Sequence, residues 1–326
     1  MRYRRRALSS RGRVTRLAAF AAGLLAAGVV IGVLYDTFWS STPSSVGLAP
    51  PTIPPASMSF PGPPDGAVVF AREAADDVLA LGVVPRRGAL LLQASVLDGD
   101  GHGVPGLRVV FSAGGVRREG IACGAGCYRA TVSVSGSPEA VSLKVAGQRT
   151  STSWHVGLPA AWPPRNGAAI LARASRVWRS LRSLAYVERL ASDPSDGQTS
   201  DWRVAAPDRA AYSIRGHGGG IVIGARRWDR STPAGRWIES QQSGLIRQPV
   251  PFWAGVSNAH VLGNVSASGR PAWLVSFFDP RTPAWFEATV EKRTGRTLAL
   301  RMYAAAHFMH DVYRLFDHAP TIVPPG

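Results

Sequence analysis

Residues 166–192 read NGAAILARASRVWRSLRSLAYVERLAS, and within them the hydrophobic period changes once. Leu171, Ala174, Trp178 and Leu181 recur at three- and four-residue spacing, with Arg173, Arg176, Arg179 and Arg182 among the polar positions. That spacing predicts one amphipathic helix of about 15 residues, with Asn166 placed as its N-cap. From Ser183 to Ser192 the period falls to two, which predicts a strand. Further strands are predicted over 211–215, 221–224, 237–239, 260–266, 273–278, 285–291, 298–303 and 312–316, with Thr294-Gly295 as a tight hairpin turn. One helix followed by a long antiparallel meander is an α+β pattern. The expectation for residues 163–326 is a curved antiparallel sheet, a half-barrel wrapped over one amphipathic helix.

Upstream the alternation is cleaner. Leu90, Leu92, Ala94 and Val96 point one way and Gln93 and Ser95 the other. Val109 and Phe111 alternate with Arg108 and Ser112; Tyr128, Ala130 and Val132 with Arg129 and Thr131; Val141, Leu143 and Val145 with Ser142 and Lys144. Period two with one apolar face means sheets covered on one side. Some seven such strands predict an all-β immunoglobulin-like sandwich over residues 67–157. Asp98-Gly99-Asp100-Gly101-His102-Gly103 reads as a hairpin turn and lacks the later bidentate Glu of an EF-hand calcium loop.

Before the sandwich lie three segments. Residues 1–16 carry seven arginines and no acidic residue, and residues 17–36 hold an apolar run from Leu17 to Tyr35 closed by Asp36. Such a run is long enough to span a bilayer as a helix, and the arginines place its N-terminus inside. It outlasts the apolar core of a cleaved signal peptide, so a retained anchor is the favoured expectation. Residues 37–66 are rich in proline (Pro43, Pro50, Pro51, Pro54 and Pro55 among them) and read as an extended linker. The expected location is the bacterial cytoplasmic membrane, single-pass, with the bulk of the chain extracytoplasmic.

Of the formal net charge of +16, seven positive charges belong to those N-terminal arginines. Lys144 and Lys292 are the only lysines, so the basicity is an arginine-for-lysine skew spread along the chain, and no nucleic-acid partner is expected. Cys123-Gly-Ala-Gly-Cys127 is short and flexible enough for a local disulfide in an oxidising compartment. Metal ligation by the same pair would need further ligands.

The chain has no G-x-S-x-G, H-E-x-x-H, P-loop or C-x-x-C signature, and no two carboxylates stand at an evident acid/base spacing. No enzyme is expected. Two constellations remain. Met302, His307, Met309 and His310 offer thioether and imidazole, a donor set suited to copper, although His307 and His310 face opposite sides of a regular strand. The large side chains Trp178, Trp228, Trp237, Trp273, Trp285 and Phe286 are candidates to line an apolar ligand groove.

Several short stretches resemble the LolA/LppX-type lipoprotein-carrier fold: the Arg-rich helix, Ala206-Pro207-Asp208-Arg209 with Tyr212, and Arg227-Trp228-Asp229-Arg230. Phe278-Asp279-Pro280, Pro283-Ala284-Trp285-Phe286 and His307-Phe308-Met309 add to it. The resemblance implies an incomplete barrel that holds a lipid. Residues 67–155, with Cys123 to Tyr128, resemble the YtkA kind of extracytoplasmic sandwich. The two together resemble the extracytoplasmic region of some copper-resistance-D-type bacterial membrane proteins. The leading expectation is therefore an anchored protein holding a lipid or lipophilic ligand, with no cofactor. A copper-handling accessory and an envelope sensor or scaffold with an envelope protein partner are the alternatives.

Overall fold

The computed structural model describes residues 60–74, 77–147, 151–192, 197–242, 255–305 and 307–326. The segment read as an anchor lies outside the described residues, and among those described no helix is long and apolar enough to cross a membrane.

Among the described residues nine strands form the first domain: β1 (Val68–Ala74), β2 (Asp77–Arg86), β3 (Ala89–Leu97), β4 (Arg108–Ala113), β5 (Val116–Glu119), β6 (Ile121–Gly124), β7 (Cys127–Ser133), β8 (Ala140–Ala146) and β9 (Ser151–Gly157). They make a five-stranded sheet, β1-β2-β3-β7-β6, and a four-stranded sheet, β5-β4-β8-β9. The alternating residues Leu90, Leu92, Phe111, Val132, Leu143 and Val145 meet between the sheets. A disulfide joins Cys123 and Cys127 across the β6–β7 turn. Gly126 in that turn has φ +62°, and a Cβ there would lie 2.3 Å from the Val96 carbonyl oxygen, so only glycine fits.

The second domain opens with α1 (Ala168–Ser180). Asn166 acts one position earlier than expected: its Oδ1 accepts the Ala168 amide at 2.7 Å, while Gly167 is the N-cap residue. Among the described residues eleven strands follow: β10 (Ser183–Ala191), β11 (Gly197–Ala205), β12 (Arg209–Ile214), β13 (Gly219–Ile223), β14 (Arg226–Arg230), β15 (Ile238–Gln241), β16 (Ser257–Ala267), β17 (Arg270–Asp279), β18 (Ala284–Glu291), β19 (Thr297–Ala304) and β20 (His307–Arg314). Their order is β15-β14-β13-β12-β11-β10-β20-β19-β18-β17-β16, all antiparallel neighbours. The single expected meander is thus two, zipped together where β10 pairs with β20. Leu171, Ala174, Trp178 and Leu181 of the helix segment share one core with Ala210 of β12 and Val261 of β16. Side chains from strands so far apart in the sheet meet because the sheet curves around the helix.

The two domains are joined by a dry seam. On the convex face the registers align Phe278, Trp285, Tyr303, Phe308 and Ala191 in one row. That row packs against Val69, Ala71, Val78, Ala80 and Val84 of β1 and β2. β2 is therefore buried on both faces, which is why Val78–Val84 is apolar throughout instead of alternating. The last residues of the stretch read as linker belong to this seam. Phe60 stacks on Trp285 with ring centroids 5.6 Å apart, and the Pro64 carbonyl accepts Asn258 Nδ2 at 2.8 Å.

Candidate functional site

The concave face is built in rows, because directly paired residues of antiparallel strands point the same way. One row runs Tyr313, Tyr186, Trp202, Tyr212 across β20, β10, β11 and β12. Successive ring centroids are 5.4, 5.7 and 4.7 Å apart. Such contacts contribute about 0.5–1.5 kcal/mol each beyond burial. Gly220 ends the row: a Cβ there would lie 2.6 Å from the Tyr212 ring. Trp178 of α1 meets Tyr313 edge-on at 4.8 Å, so the helix covers this end of the face.

Toward the β19–β20 hairpin, the apolar row is Phe277, Phe286, Met302, Met309 and Leu190. Phe277 and Phe286 stack at 5.1 Å and are buried. Leu190, Met302 and Ala304 are only partly buried, so this end of the face is left ajar.

Between the two rows, Glu188 of β10 and Asp311 of β20 stand directly opposite each other. Glu188 Oε2 accepts Ser200 Oγ–H and Trp202 Nε1–H, both at 3.0 Å, and Asp311 Oδ2 accepts the Tyr313 hydroxyl at 2.6 Å. Asp311 is 1% exposed, and its Oδ1 has no hydrogen-bond partner among the described residues. Among the described residues of β10–β12 and β17–β20, the registers put no lysine or arginine on this face. Burial pushes both carboxyls above their ordinary range, Asp311 strongly, and the charge of Glu188 pushes Asp311 further. Burial, then Asp311, likewise raises the Tyr313 phenol well above its usual value. An uncompensated pair of this kind retains a proton rather than two buried charges.

The aromatic candidates divide by face. Trp178, Trp273 and Phe286 lie on the concave side. Trp285 points the other way into the seam, since neighbours on a strand face opposite sides. Trp228 is on the convex face of β14, where Arg226 lies over its ring at 4.7 Å and Glu239 accepts its Nε1–H at 3.2 Å. Trp237 packs under Arg230, 4.6 Å from its guanidinium, outside the groove.

The Met/His set divides as well. Met302, His307 and Met309 share the concave face, while β20 carries His310 on the convex face beside Arg301 and Arg189. Burial lowers the pKa of both histidines, and those two arginines lower His310 further. The four do not converge on one point.

Two other features lie away from the concave face. Asp98, Asp100 and His102 bring ligand atoms within 4.8 Å of one another, but Asp98 Oδ1 already accepts the Asp100 and His102 amides as part of the turn. An open basin of about 830 Å³ lies on the outer sheet of the sandwich, among Arg108, Arg117, Lys144 and His155.

The concave-face residues Tyr186, Trp202, Tyr313, Glu188 and Asp311 were not legible as a site. Tyr186-x-Glu188 and Asp311-x-Tyr313 each carry the period-two signal, but only the β10–β20 register shows that the two motifs face each other.

No protein-family profile matches the chain, and no curated protein does. Among solved structures it is similar to the lipoprotein LppX of Mycobacterium tuberculosis, with 11% identity and a TM-score of 0.38 over 48% of this chain and 97% of that one. It is also similar to LprF of Mycobacterium bovis, with 12% identity and a TM-score of 0.37 over 52% and 99% of the two chains. A LolA superfamily protein of Nitrosomonas europaea follows, with 10% identity and a TM-score of 0.23 over 48% and 95%.

Proposed function

We infer that this protein is a non-catalytic, membrane-anchored extracytoplasmic binding protein that holds a lipophilic ligand on the concave face of its second domain. One observation carries the reading: α1 covers the Tyr313 end of that face, whereas Leu190, Met302 and Ala304 at the other end are apolar and only partly buried. Apolar concave surface left open in this way is what small lipophiles bind. The seam holds the wall behind it rigid, because Phe278, Trp285 and Phe308 are buried against the sandwich.

The reading is tested with the full chain in nanodiscs and a photoactivatable fatty acid. Peptides from β10, β11, β19 and β20 are expected to carry the label. Labelling confined to the N-terminal apolar segment would remove the proposal.

A further inference from the structure

A pocket of about 390 Å³ opens at the convex wall of the second domain, and Asp201, Trp202 and Tyr212 are among the residues that line it. Its floor is made of small and apolar side chains: Ala185, Ala211 and Ile221 are cross-strand neighbours on β10, β12 and β13. Arg203 of β11 stands in the same row between Ala185 and Ala211, and Arg314 of β20 stands on the far side of Ala185. Arg230 of β14 closes the other side. Arg203 and Arg230 lie three strands apart, with Arg230 two residues along β14 from the row of Arg203, and both border the same floor.

The charges are not balanced. Arg314 pairs with Asp201 at 3.2 Å, but Asp201 also receives Arg215 at 3.1 Å. Arg203 has no hydrogen-bond or ion-pair partner among the described residues. Arg230 lies over Trp237, and its buried Nε has no hydrogen-bond partner. Half-buried guanidinium groups without acceptors are costly unless something supplies oxygens. The C-terminal segment forms one wall through Leu315 and Pro320, and it is fastened by Arg209 Nη1, which donates to the Ile322 carbonyl at 2.8 Å.

We propose that this cavity is an anion site for a phosphate-bearing ligand, with Arg203 and Arg230 as its principal donors and the Ala185–Ala211–Ile221 floor accepting the carbons attached to the phosphate. Guanidinium forks match phosphate oxygens in geometry as well as charge. The floor and Trp237 give the site an apolar half, which suits the head and first carbons of a phospholipid better than a bare ion. The inference does not rest on the concave-face reading, because its donors Arg203 and Arg230 have the opposite strand parity to the aromatic row.

Calorimetry on the full chain in phosphatidylcholine nanodiscs tests it, with inorganic phosphate, glycerol 3-phosphate and dibutanoyl phosphatidic acid as probes. Binding of all three is expected, weakened at least tenfold by the double change Arg203→Ala with Arg230→Ala. It should be unmoved by Arg117→Ala with Arg118→Ala on the sandwich, and the thermal midpoint reports whether each variant is folded. If the acyl probe binds at least tenfold tighter than phosphate, the source is a lipid headgroup; equal affinity supports a free phosphate or phosphomonoester. No heat with any probe at millimolar concentration, or affinity indifferent to the double change in a folded variant, would overturn the site.

Discussion

Trp285 and Phe286 are adjacent on β18 and equally buried, yet they belong to different parts of the molecule. Trp285 is fixed against Phe60 and the sandwich, whereas Phe286 stacks on Phe277 inside the curved sheet. The same contrast holds for the whole sheet. Its concave face over β10–β12 and β17–β20 combines aromatic and apolar rows with three carboxyls, Glu188, Asp311 and the Arg281-paired Asp279, and those strands put no lysine or arginine on it among the described residues. Its convex face carries the arginines, among them Arg203, Arg226, Arg230, Arg301 and Arg314. One side is apolar and aromatic and the other basic, and the assignment of each residue follows from strand parity rather than from residue type.

The largest expected effect separates the neighbours on β18. Trp285→Ala and Phe286→Ala should each destabilise the protein by about 3–5 kcal/mol, the usual cost of emptying a large buried aromatic site. Urea unfolding read by far-UV circular dichroism measures both. The contrast lies in the seam: Trp285→Ala should also expose sites near Phe60 to limited proteolysis, and Phe286→Ala should not. Equal protection of that segment in the two variants would show that the two faces are not independent.

A smaller effect concerns the carboxyl pair. Folding raises the pKa of Glu188 and Asp311, chiefly by burial, above the ordinary carboxylate value of about 4 that the unfolded chain keeps. This contribution to stability is fully present below that value and is lost as pH rises through the raised folded value. Asp311→Asn should therefore flatten the fall in stability between acidic and alkaline pH. The change should be about 1.4 kcal/mol for each unit by which folding raises the pKa. An unchanged slope in denaturation measured across pH would mean that the pair is not protonated in the fold.

The smallest effect is on the convex surface. Arg226 pairs with Glu239 at 2.8 Å, but both side chains are at least half exposed. Arg226→Ala should shift stability far less than either change on β18, and less still at high salt. A loss comparable to theirs would show that the cover over Trp228 is structural in a way its exposure does not suggest.

How much of this could be read from the sequence follows the same division. β4, β7 and β8 alternate because only one of their faces is packed in the sandwich core, and their core residues were legible one by one. β2 hides its period because the seam buries its second face. β11 and β14 were not anticipated: Gly197–Asp201 and Arg226–Arg230 are too polar to read as strands, and they form because neighbours on both sides complete the ladder. β20 was expected from Val312; it begins at His307, and the Met/His run there is ordinary strand with its two histidines on opposite faces. The carboxyl pair and the arginine-walled cavity both depend on register between strands distant in the chain, which local periodicity does not carry.

The account stands or falls on what the concave face holds. The direct measurement is lipid extraction and mass spectrometry of the full chain, wild type against Met302→Trp, a change that fills the partly open end of the face. Close to one equivalent of an enriched lipophile in the wild type, and its loss from the folded variant, is the result expected. A lipid profile identical in the two proteins, with nothing enriched over the surrounding membrane, would contradict it.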